Sequence, residues 1–200
     1  MEAELVRLRA ELEELRRVKH FYGYLRRLFK PPPCPDLGPL EKEVLRRVGG
    51  LELFYVPEAL KANLFFKRLR EKGLVNMGVV YVRGRAKRVA YLTLKGESTY
   101  EHVFGEPSWQ KFRVPRERLE RFRGYYLEGF NFDNLASLLV GLAPLLAKKR
   151  LVYVATSDWR CLVQKLLALR IWLPEEILLY IRDLEGNRVK VYLPPPRNRI

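Results

Sequence analysis

Residues 63–95 read NLFFKRLREKGLVNMGVVYVRGRAKRVAYLTLK, and the rest of the chain is organised around them. Leu64, Phe66 and Leu69 recur at helical spacing on one apolar side. Lys72-Gly73 then supplies a stop, because glycine accepts the left-handed conformation that ends a helix. Two β-rich runs follow, Val79–Val82 and Val89–Leu94, separated by a predicted tip Arg83-Gly84-Arg85-Ala86-Lys87-Arg88. The charge of this stretch is one-sided. Between residues 61 and 95, Lys61, Lys67, Arg68, Arg70, Lys72, Arg83, Arg85, Lys87, Arg88 and Lys95 face Glu71 alone, a net +9 of the chain's formal +15. Charge kept only for solubility would be spread over the surface, whereas a polyanionic partner accounts for its concentration here.

Upstream, Asp36 and Leu37-Gly38-Pro39 precede a helix predicted to bury Leu40, Val44, Leu45 and Val48, with Gly49-Gly50 as its stop. Leu51–Tyr55 reads as a short strand or an extended link, and Pro57 suits the first turn of a small helix through Lys61. Downstream, Glu97–Val103 begins another helix.

Three phrases in this region, EKEVLRRV at 41–48, FKRLREKGLV at 66–75 and YLTLKGE at 91–97, resemble a winged helix-turn-helix domain of the MarR/PadR kind. The matching residues are Phe66, Leu69, Gly73, Leu74 and Val75, then Leu92, Thr93, Lys95 and Gly96, within a domain spanning roughly 38–104, about a third of the chain. The stretch Pro57–Phe65 is shorter than that pattern, so either the turn is clipped or the second helix is a single turn. The resemblance implies a double-stranded DNA-binding protein in which the helix after Ala62 enters the major groove and the hairpin forms a wing. Candidate contacts are Lys61, Asn63, Lys67 and Arg70 on the helix side and Arg83, Arg85, Lys87 and Arg88 on the hairpin. The cations would hold phosphates, while Asn63 could read an adenine edge or simply cap its helix.

The flanks read differently. Leu5, Leu8, Leu12 and Leu15 in residues 1–30 keep a heptad rhythm that breaks after Leu15, where Val18, Phe21, Leu25 and Leu28 continue at closer helical spacing. This predicts an amphipathic helix that either pairs two copies as a short coiled coil or lies on its own domain. A proline-rich linker at 31–37 separates it from the domain at 38–105. Residues 106–147 read as a helical connector, with a basic helix at 116–126 and an apolar one at 135–147. In 148–200, the strand Leu151–Ala155, a helix capped by Ser157 or Asp158, and a hairpin of Ile177–Ile181 with Val189–Leu193 make a β-α-β-β unit with a loose tail. The fold class is α+β.

Composition narrows the function. With 48% apolar and 30% charged residues the chain is globular. The longest mostly apolar run, Leu135–Leu146, is too short to cross a bilayer, and the charge-alternating N-terminus does not read as a secretory signal, so the expected compartment is the cytoplasm. Gln110 and Gln164 are the only glutamines amid abundant Arg and Glu, which leans towards a thermophile. Cys34 and Cys161, with His20 and His102, do not make a metal site, and no cofactor fingerprint is visible. Two catalytic readings compete with binding. Tyr91, His102 and Lys149 bear a faint similarity to the metal-free archaeal tRNA-splicing endonucleases, in which histidine acts as acid. Asp183, Glu185 and Lys190 loosely suggest a metal-dependent nuclease, although turn acids beside alternating strand charges are commoner. The expectation is a non-enzymatic DNA-binding homodimer acting in transcriptional control or mobile-element maintenance, with a nucleic-acid-cleaving enzyme as the alternative.

Overall fold

The structure is a computed structural model that describes residues 34–56, 58–108, 151–156, 158–170, 173, 176–183 and 186–195. The chain divides into two compact units, Met1–Cys34 and Pro35–Ile200, and the elements below belong to the second. The predicted coiled-coil arm, the prolines at 31–33, the helices at 116–126 and 135–147 and the terminal tail lie outside the described residues.

Three helices come first: α1 (Pro39–Gly49), the single turn α2 (Glu58–Lys61) and α3 (Leu64–Glu71). The shortness of 57–65 is thus taken up by a one-turn second helix. In α1 the buried stripe is Glu41, Val44, Leu45 and Val48, spaced i, i+3, i+4, i+7. Leu40, expected in the core, lies off that stripe and is 51% exposed. Glu41 takes the inner place because its carboxylate accepts from the Gly38 N–H at 3.0 Å and from Lys72 Nζ at 2.9 Å.

The ends of α1 and α3 share one device with different residues. In α3 the Leu74 N–H donates to Leu69 O and the Gly73 N–H to Arg70 O, with Gly73 at φ 71° in the left-handed position, as expected. In α1 the same pair of bonds runs from Glu52 N–H to Arg47 O and from Leu51 N–H to Val48 O. There Leu51 holds the left-handed position at φ 69°, one residue beyond the glycine pair expected to do so. Gly49 serves packing instead: a Cβ on it would lie 2.4 Å from the Tyr100 ring.

Strands β1 (Val75–Val82) and β2 (Arg85–Leu92) form an antiparallel hairpin, and α4 (Leu94–Phe104) follows. Thr93 caps α4 by accepting from the Gly96 N–H at 3.0 Å, and its hydroxyl donates back to Gly73 O. Lys95 Nζ donates to Lys72 O at 3.0 Å, and a Cβ on Gly96 would sit 1.9 Å from Leu74 O. The T-x-K-G phrase therefore docks the start of α4 onto the turn between α3 and β1.

The C-terminal elements are β3 (Leu151–Thr156), α5 (Trp159–Ala168), β4 (Ile177–Asp183) and β5 (Arg188–Leu193), with Asp158 as the cap of α5. β3 and β4 are parallel, and β4 and β5 are antiparallel. The hairpin and this unit share one five-stranded sheet, ordered β2-β1-β5-β4-β3. The seam is the antiparallel pairing Tyr81 with Tyr192 and Val82 with Val191. Tyr55 bridges Val89 beyond β2, so the segment expected to be a strand or link runs along that edge.

Strand alternation gives the sheet two unlike faces. One carries buried Val80, Val82, Val89, Leu179, Ile181 and Val191 and is packed by α5, whose Leu167 lies against Gly78. On the other, Val75, Ala90 and Leu92 join Phe66, Leu69, Val44, Leu45 and Val48 in one core cluster. α5 is buried around its whole circumference, polar residues included. Gln164 Nε2 donates to Ala90 O at 2.6 Å and Val48 O at 3.3 Å, tying β2 to α1. Fully buried Lys165 donates to the Glu97 carboxylate and, at 2.6 Å, to Ser108 Oγ, whose hydroxyl in turn meets Glu97. At the far end of α5, buried Arg170 donates to Leu173 O at 2.7 Å and Pro194 O at 2.6 Å, clamping the end of β5.

Candidate nucleic-acid interface

α3 presents Leu64, Lys67, Arg68 and Glu71 outward, opposite Phe66 and Leu69. Leu64, expected on the apolar side, is 54% exposed, because Phe66 and Leu69 alone fill the inner face of this eight-residue helix. Arg70 lies on the flank towards β2. Burial pushes the Tyr91 hydroxyl above its ordinary value, while a hydrogen bond with Asn76 and the charge of Arg70 oppose that shift. Arg68, whose guanidinium lies 5.8 Å from the Phe65 ring centroid, belongs to the outward stripe although it was not among the predicted contacts. Its signal was available: Leu64, Lys67, Arg68 and Glu71 have the i, i+3, i+4, i+7 spacing of one helical face.

Asn63 has the geometry of a cap. Its Oδ1 accepts from the backbone N–H groups of Phe65 at 2.9 Å and Phe66 at 3.1 Å. A bidentate contact to adenine would require that same oxygen.

The hairpin turn is Arg83-Gly84 alone, with φ of 51° and 80°. Two-residue turns of this hand suit the right-handed strand twist, and Asn-Gly or Asp-Gly is the usual choice. Arginine in the left-handed region costs roughly 1 kcal/mol. The turn is anchored as well, since the Arg83 N–H donates to Lys190 O at 3.0 Å. Beyond it, Arg85, Lys87 and Arg88 are strand residues and do not share one tip. Arg85 and Lys87 pair with Val82 and Val80 on one face, whereas Arg88 pairs with Val79 on the other.

Several cations of the basic stretch have structural partners. Lys72 is held by both Glu41 oxygens at 2.9 Å and by Asp36 O, and the Lys72 hydrogen bond holds the Glu41 carboxyl below its ordinary range against the opposing effect of burial. Lys95 is tied to the Lys72 carbonyl. Half-buried Lys61 contacts Glu58, whose second oxygen lies 3.7 Å from Arg88. Lys87 Nζ stands 5.5 Å from the Tyr55 ring centroid. Lys67 and Glu71 approach to 4.0 Å, an exposed pair of little energetic weight. On α3 and the hairpin the cations facing solvent are Lys67, Arg68, Arg70, Arg83, Arg85, Lys87 and Arg88.

The residues of the two catalytic readings are spread over the sheet and α4. Tyr91 is half-buried on β2, His102 is exposed in the last turn of α4, and Lys149 lies outside the described residues. Asp183 ends β4, Lys190 is exposed on β5, and Glu185 lies outside the described residues. Among the described residues no group of three or more His, Cys, Asp or Glu could hold a metal ion, and no helix is long and apolar enough to cross a membrane. Comparison with protein-family models, curated proteins and solved structures found no match to this chain.

Proposed function

We propose that this protein binds double-stranded DNA through a winged helix-turn-helix, acting by occupancy in transcriptional control or in the maintenance of a mobile element. α1, α2 and α3 would be the helical part, with α3 as the element facing the major groove, and the β1–β2 hairpin would be the wing. The single observation that carries the reading is the seven exposed cations on α3 and the hairpin, left over after Lys61, Lys72 and Lys95 are engaged by Glu58, Glu41 and the Lys72 carbonyl. So many like charges repel one another unless an anion neutralises them, and a phosphate backbone does so at regular spacing. Arg83 adds support, since a cation sits at the turn where a less strained residue would serve the backbone better. Residues 1–30 would join two copies, as dimers that bind paired half-sites require.

The test is the salt dependence of duplex binding. Replacing Arg83, Arg85, Lys87 and Arg88 together by alanine should weaken binding to every duplex. It should lower the slope of log K against log salt by about 0.9 for each phosphate that is no longer neutralised. An unchanged slope would remove the hairpin from the interface. Light scattering on the full chain should show a dimer; a monomer would remove the role given to residues 1–30.

A further inference from the structure

The sheet face shared with the helical core is covered only in part. Val75, Ala90 and Leu92 lie beneath the helices, and Met77 is packed against their edge. Further along the same face of β1, Val79 is 41% exposed and Tyr81 37% exposed. The seam pairing sets Tyr192 beside Tyr81, with ring centroids 5.7 Å apart and planes inclined at 57°. The next residue of β5 on this face is exposed Lys190, its ammonium 5.5 Å from the Tyr180 ring centroid, followed by exposed Arg188. Arg88 closes the opposite side, across from Val79. The surface thus alternates rings with cations across strands that neighbour one another at about 4.8 Å. Among the described residues two carboxylates border it, and both are engaged: Glu176 accepts from the Tyr192 hydroxyl at 3.1 Å, and Glu58 meets Lys61 and Arg88.

We propose that this open face, formed where β1 joins β5, is a stacking platform for single-stranded nucleic acid, with a base lying on Tyr81 and the backbone tracking Lys190, Arg188 and Arg88. Every base offers a π-face to a tyrosine ring, while its phosphate supplies the anion that the flanking cations need. A duplex cannot use the same surface in this way, because its bases are already stacked on each other and only phosphates would reach the sheet. An apolar protein partner would cover Val79 and Tyr81 but leave Lys190 and Arg188 desolvated without counter-charge. The platform meets the duplex surface of α3 and the hairpin at Arg88 and otherwise lies on the opposite face from Arg85 and Lys87, and it would hold an unpaired strand beside the bound duplex.

The experiment compares a fluorescein-labelled oligothymidylate with a labelled duplex of equal length, using full-length protein and its Tyr81→Ala, Tyr81→Phe and Lys190→Ala variants. Tyr81→Ala should weaken oligothymidylate binding roughly 5- to 150-fold and leave duplex affinity unchanged, while Tyr81→Phe keeps the parent affinity. Lys190→Ala should lower the salt slope for the single strand by about 0.7. Far-UV circular dichroism verifies the fold of each variant, and Lys190→Ala carries the test if Tyr81→Ala does not fold. No oligothymidylate binding by the parent, or parent-like binding by Tyr81→Ala, overturns the proposal. Equal weakening on strand and duplex overturns it too, because the face would then belong to the duplex surface. So does a Tyr81→Ala protein that turns from dimer to monomer in sedimentation while binding the oligothymidylate normally, since the face would then join two copies. Single-strand binding without duplex binding would instead sink the double-stranded reading and leave the platform standing.

Discussion

Lys165 and Lys87 carry the same head group under opposite conditions. Lys165 is fully buried in α5, where Glu97 and Ser108 accept hydrogen bonds from its ammonium. Lys87 is exposed on β2, with the Tyr55 ring centroid 5.5 Å from its ammonium. In the interior each charge needs its partner, because removing one leaves the other uncompensated in a poor dielectric. On the surface water solvates the ammonium, so the fold is nearly indifferent to it and a ligand is free to use it. The same chemistry therefore holds α4 and α5 together in one place and is available to an anion in the other.

The largest expected effect breaks the buried side of that comparison. Lys165→Ala should cost about 3–5 kcal/mol in denaturant unfolding, because it strands the Glu97 carboxylate. The double variant Lys165→Met with Glu97→Leu should recover most of that stability, whereas Lys87→Ala should stay within about 0.5 kcal/mol of the parent. If Lys165→Ala proved as mild as Lys87→Ala, the buried pair would have no structural role.

Glu41 is an intermediate case, a buried carboxylate whose partner Lys72 is partly exposed. Its folded pKa is lowered, chiefly by the Lys72 hydrogen bond, so folding favours the ionised form. The stability it contributes is fully present above about pH 4.5 and is lost as pH falls through the lower folded value. Glu41→Gln should cost about 1.5–3 kcal/mol near neutrality, and the variant and parent curves should converge as the solution is acidified. A gap that stayed constant down to strongly acid pH would show that ionisation of Glu41 is not the source.

The smallest effect sharpens the exposed side. Asn63→Ala should lower stability by about 1 kcal/mol through removal of the cap on α3. Duplex discrimination should be unchanged, because the carboxamide oxygen is already committed to Phe65 and Phe66. A drop of specific relative to random affinity, without a change in the melting curve, would return Asn63 to base reading.

Much of the local structure was legible in the residues. The stop at Gly73, the one-turn helix near Lys61, the cap at Asp158 and the hairpin of β4 with β5 depend on contacts within a few residues, and helix ends and turns are chosen at that range. The T-x-K-G phrase is readable for a related reason. Thr93, Lys95 and Gly96 all meet the turn at Lys72–Leu74, so short spacings carry the information. The candidate site was legible as composition: the basic stretch stands out at 61–95, and its exposed members are mostly those named from the sequence.

Directions and long-range partners were decided by the tertiary structure. Strand alternation divides Arg85 and Lys87 from Arg88, and that division depends on where the two-residue turn falls within a run of near-continuous cations. The pairing of β1 with β5 joins segments more than a hundred residues apart, and two alternating strands do not encode which free edge each will meet. It is this seam that brings Tyr81 to Tyr192. Lys165 would be taken from the sequence as a solvent-facing cation of a C-terminal helix. It becomes a core residue only because α5 is enclosed on every side, where Glu97 from α4 compensates the charge that burial would otherwise forbid.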